Sequence, residues 1–110
     1  MSNLKPIAEN YFKNFSNKDI KALKNMFTDD VELRDWVFNV KGIENVIDVN
    51  IKIFKNNEKI LVKPLNIWQI DNLIFADLEI DTGKEKKELV LDILDFDHDK
   101  IRKIIAYRGN

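Results

Sequence analysis

Three side chains have the type and setting for moving a proton. Asp35 has the strand parity of Val31, Leu33 and Val37. A carboxylate on an apolar face is costly unless paired or protonated, and desolvation moves it toward the range of a general base. A strand end open to water, or a nearby Lys or Arg, would remove that cost. Tyr11 stands on a helical apolar stripe with Ile7, Ala8 and Phe15. A buried tyrosine needs a partner for its hydroxyl. That partner is either a group of the core or an oxyanion developing on a substrate. Asp92 has the parity of Val90, Leu94 and Phe96. It reads as a pocket acid, or as a carboxylate bonded to backbone or to an Arg across a subunit interface. Asp95 faces the other way, with Leu91 and Ile93.

Other chemistries find little support. The chain has no cysteine, which excludes disulfides, thiolate zinc sites and cysteine nucleophiles. His98, the sole histidine, lies between Asp97 and Asp99 in a turn. That run lacks the glycine and terminal glutamate of a calcium loop. No metal-ligand cluster, glycine-rich phosphate loop or Ser–His–Asp arrangement is present, so no metal and no cofactor is expected. Trp68, Phe54, Leu94 and Phe96 are the expected ligand-binding residues, and Trp36 is a further candidate. Core packing or a dimer face would also account for these side chains.

The elements that position these groups follow from apolar period. Leu4 to Phe15 has helical spacing. Ser16 reads as the cap of a second helix, with Asp19 three residues on, and Ile20, Leu23, Met26 and Phe27 as its stripe. From Val31 to Phe38 the period is two. Gly42 leads a third helix bearing Ile43, Val46, Ile47, Asn50 and Phe54, stopped at Asn56-Asn57. Strands follow at 59–70, 73–81, 88–96 and 101–108, joined by short turns and therefore antiparallel. Pro64 marks a bulge or bend in the long strand.

That order resembles the NTF2-like superfamily, which includes ketosteroid isomerases and SnoaL-like cyclases, over almost the whole chain. The run from Asp19 to Val31 is similar to the family's second helix with its closing F-x-D-D-A/V. Gly42-Ile43 is similar to the start of the third helix, and Phe96 to Tyr107 to the closing hairpin. The resemblance implies an α+β cone: three N-terminal helices on a strongly curved, mostly antiparallel sheet around an apolar pocket. For the isomerases it implies a tyrosine on helix one, a base late in the first strand and a protonated aspartate on a later strand. Laid from Asp19, that pattern falls on Tyr11 and Asp35 without a gap. Its third position falls on Leu94, and Asp92 lies two residues earlier on the same face.

With 110 residues, 45% hydrophobic and 34% charged, the chain suits one SnoaL-like domain over 1–110. A net charge of −1 argues against nucleic acid as a partner. No leader or membrane span is visible, so a cytoplasmic location is expected. Strands apolar on both faces predict a homodimer. The expected function is proton transfer next to a carbonyl on a small apolar substrate, with Asp35 as base and Tyr11 and Asp92 as oxyanion donors. A non-catalytic pocket for an apolar small molecule and a protein-interaction domain are the rival readings.

Overall fold

The computed structural model describes residues 3–110. Ala8, Tyr11 and Phe12 bury one side of α1 (Lys5–Ser16), and Pro6 occupies its first turn, where a missing N–H breaks no helical bond. Ser16 does not cap the next helix. Its hydroxyl donates to the Phe12 carbonyl at 2.9 Å and accepts from the Val62 N–H at 2.8 Å, pinning the end of α1 to the sheet. The cap is Asp19, which accepts from the Ala22 N–H at 3.1 Å and opens α2 (Ile20–Met26). Between the helices Lys18 has φ 55°, and its ammonium donates to the carbonyls of Phe54, Asn57 and Glu58. A cation on those carbonyls ties the first two helices to the C-terminal end of the third.

The first strand begins and ends earlier than the alternation predicts. β1 is Phe27–Arg34, and the chain then turns back into a short β2 (Asn39–Lys41) that sequence periodicity did not reveal. The turn is built by Asp35. Its Oδ1 accepts from the N–H groups of Val37 and Phe38 at 2.7 and 2.6 Å, and its own N–H donates to the Phe38 carbonyl. This local bonding of an aspartate to the backbone two and three residues on competes with extended structure. Gly42, at φ 94°, leads into α3 (Ile43–Asn56), a backbone angle that a side chain would strain.

Four long strands complete the chain: β3 (Leu61–Ile70), β4 (Leu73–Asp81), β5 (Glu88–Asp97) and β6 (Lys100–Arg108). The sheet runs β2-β1-β6-β5-β4-β3, antiparallel except between β1 and β6. Its inner face supplies Ile74, Ala76, Leu78, Val90, Leu94, Phe96 and Ile101 to the core. The helices supply Ala8, Phe12, Leu23 and Val46. The α+β class, the helix count and the mostly antiparallel sheet are as read from the sequence.

The register of β3 shifts between Pro64 and Asn66, leaving Leu65 as an extra residue. One extra residue reverses which face every later side chain occupies. Val62 stays buried on the inner face, whereas Trp68 comes to lie on the outer face beside Phe75, half exposed.

Candidate active site

A cavity of about 400 Å³ lies between the inner sheet face and the helices α1 and α3. Its wall is mainly apolar: Phe12, Phe15, Leu33, Ile53, Leu78, Val90 and Ile104 contribute. Tyr11, Asp35 and Asp92 line the same space. Exposed Asn56 and Lys84, with half-buried Asn57, Thr82 and Glu88, bring it out to solvent.

Each polar group is placed by its element. Tyr11 projects from the buried side of α1 and is 4% exposed. Its ring is tilted against Phe12, Phe15 and Phe27, with centroids 5.4 to 6.1 Å apart. Asp35 is held by the two backbone N–H groups of its own turn, so its carboxylate has a fixed aim. Asp92 stands in mid-β5, opposite Ala76 on β4 and Ala106 on β6. Two methyl side chains flanking the carboxyl leave room for a void. Two residues along, Leu94 lies opposite Ile74 and Ile104, and that part of the face is packed solid.

The cavity perturbs two of these groups, Asp92 and Tyr11. Asp92 is buried, and among the described residues no cation pairs with it; the ion pairs lie at other carboxylates. Burial, and then the negative charge of Asp35, raise its pKa to about 7. Burial also pushes the Tyr11 hydroxyl well above its usual range, and the charge of Asp92 adds to the effect. Near neutrality the cavity therefore holds a phenol that keeps its proton and a carboxyl poised between two states.

A family model described as a SnoaL-like domain matches residues 8–104. The chain belongs to the SnoaL-like family. Solved structures agree on the fold. An NTF2-like protein of unknown function from Cytophaga hutchinsonii is 26% identical, with a TM-score of 0.78 over 97% of this chain and 100% of that one. A SnoaL-like polyketide cyclase from Agrobacterium tumefaciens is 18% identical, with a TM-score of 0.84 over 100% and 94%. A provisionally assigned ketosteroid isomerase from Kribbella flavida is 8% identical, with a TM-score of 0.86 over 97% and 78%. A search of the curated proteins found no match. The SnoaL-like family and the NTF2-like fold thus stand, as the order and spacing of the motifs implied.

Within this SnoaL-like domain the structure brings Tyr11, Asp35 and Asp92 together, and it corrects the expected ligand-binding set. Trp68 is on the outer sheet face because of the bulge in β3. Phe54 turns into the core and meets Phe15 edge-on at 4.9 Å. Leu94 and Phe96 share the inner face with Asp92 but lie in its packed part, 0% and 1% exposed. None of the four lines the cavity. Trp36 does, from the Asp35 turn, with the Arg108 guanidinium 5.4 Å from its ring centroid. His98 is on the surface beside Asp97 at 2.9 Å. Among the described residues no group of three or more acidic or histidine side chains is placed to hold a metal, and no helix is long and apolar enough to cross a membrane.

Sequence reasoning assigned no role to Asn50, which also lines the cavity. The signal was an amide within the apolar stripe of α3, between Val46 and Phe54.

Proposed function

We propose that this domain is a cofactor-free enzyme that moves a proton next to a carbonyl on a small, mainly apolar substrate, as an isomerase or an aldol-type cyclase does. The observation that carries this is the shared wall of Tyr11, Asp35 and Asp92 around one apolar void, with no cation paired to Asp92 among the described residues. Asp35, fixed by its turn, takes the proton from carbon. Tyr11 and protonated Asp92 donate to the oxygen as negative charge gathers on it. The raised pKa of Asp92 suits it to the part of a proton-bearing donor.

The scheme makes turnover depend on pH. Asp92 donates only while protonated, so kcat/KM should fall as pH rises through about 7. Asp92→Asn keeps a neutral donor and should lose that descending limb. A profile flat from about pH 6 to about pH 8 in the native chain would remove Asp92 from the scheme. The alternative is a domain that binds an apolar molecule without converting it. It is favoured by Leu94, which is buried in the core at the isomerases' third position.

We propose further that the domain is a cytoplasmic homodimer joined through the outer sheet face. Trp68, Phe75, Ile93 and Ile105 are cross-strand neighbours in one row over four strands. Trp68, Leu65 and Tyr107 are exposed there, and Phe75, Ile93 and Ile105 are half-buried. Such a face is costly in water, and a second copy buries it isologously. Light scattering at micromolar concentration should give twice the 13.0 kDa of one chain, and Trp68→Lys should shift it toward the monomer. A native mass near 13.0 kDa would refute the dimer.

A further inference from the structure

Asn50 lies on the cavity wall and takes no part in the proton-transfer scheme. It is in mid-α3, 3% exposed, on the same buried side as Val46, Ile47 and Phe54. Its Nδ2 has no hydrogen-bond partner, the sole buried side-chain nitrogen or oxygen in that condition among the described residues. An asparagine there has a lower helix propensity than leucine and brings an unsatisfied amide into an apolar stripe. The position would be better filled by an aliphatic residue if packing were its only task. Asn50 belongs to the lining of the cavity that a ligand can enter.

We infer that Asn50 is a specificity-determining residue that hydrogen-bonds a second oxygen of the ligand, other than the carbonyl held by Tyr11 and Asp92. This rests on the reading of the cavity as the ligand site. The ligand class is then a mainly apolar compound with at least two oxygen functions, a ketone and a second carbonyl or hydroxyl. A half-turn of the amide exchanges its donor for its acceptor, so either oxygen function can be served. An analogue without that oxygen would leave the amide unpaired in a mainly apolar site. Leaving such a group unsatisfied corresponds to roughly a ten- to hundredfold loss of affinity. A site built around a hydrogen bond rejects the deoxy analogue for this reason.

The test compares binding of α-tetralone with binding of its ring-hydroxylated derivatives, followed by Trp36 fluorescence and by the side-chain amide resonance of Asn50. At least one hydroxy-α-tetralone should bind roughly tenfold or more tightly than α-tetralone and should move the Asn50 resonance at saturation. Asn50→Leu should bind α-tetralone no worse and lose the preference. Equal affinity for every member of the set, a preference that survives Asn50→Leu, or an unmoved Asn50 resonance would each overturn the inference. If Asn50→Leu does not fold, the native affinities and the resonance decide it. The assay reads binding alone. An Asn50-dependent preference without any turnover would end the catalytic reading and leave this one standing. Turnover without that preference would do the reverse.

Discussion

Above about pH 7, Asp92→Asn should be more stable than the native chain by about 2–4 kcal/mol. In the unfolded chain Asp92 has an ordinary carboxylate pKa, near 3.8, whereas in the folded chain it is raised to about 7. Between those values the folded state holds a proton that the unfolded state has released. The fold therefore loses stability as pH rises, by at most about 1.4 kcal/mol for each pH unit, and the loss ends once the folded group ionises. Asparagine has the same shape and never ionises, so it escapes this loss. The difference between the two chains should be near zero at about pH 4 and grow to its full size by about pH 7. Urea unfolding at one fixed protein concentration across that range reads it directly. Equal stabilities at every pH would mean that Asp92 is not desolvated. A side chain that weakens the fold at working pH is the kind of residue retained for a function, because stability alone would favour its replacement.

The largest effect on chemistry is expected at Asp35. Asp35→Asn should lower turnover by about 10²–10⁴-fold, the usual contribution of a positioned general base. The fold should survive, because the asparagine oxygen can still accept from the Val37 and Phe38 N–H groups that shape the turn. The same change removes the charge that helps to raise the pKa of Asp92, so the onset of its ionisation should move to lower pH. Tyr11→Phe should lower turnover by about 10²–10³-fold, the scale for one lost oxyanion donor. If Asp35→Asn retained full turnover with its turn intact, the base would have to be another group.

Much of this site was readable before the fold was known, since parity and helical spacing are local. Tyr11 had to face the sheet from its stripe, and Asp92 had to point the same way as Val90. What failed was wherever a single residue changed the count. Strict alternation carried β1 on through Phe38, but the carboxylate of Asp35 bonded its own backbone and turned the chain, so Val37 ended 69% exposed. The bulge at Leu65 moved Trp68 to the opposite face. Pro64 signalled that bulge, yet not which side chains it would invert. Leu94 and Phe96 failed for another reason: they share the face of Asp92, but Ile74 and Ile104 fill the space around Leu94. Whether a shared face is void or packed depends on cross-strand neighbours, which periodicity in one strand does not reveal. Asn50 was visible as a polar break in a stripe, and only its unpaired amide in the closed fold gave it a role.

Exchange of α-protons in deuterium oxide tests the proposed chemistry most directly, because it requires removal of a proton from carbon and no complete reaction. The probes are α-tetralone and its hydroxylated derivatives, followed by proton NMR. The native domain should accelerate loss of the α-proton signal of at least one probe, and Asp35→Asn should lose that acceleration while still binding the probe. A probe that occupies the cavity, shown by shifts of the Tyr11 and Asn50 resonances, yet exchanges no faster than in buffer would contradict proton transfer and leave a domain that only binds.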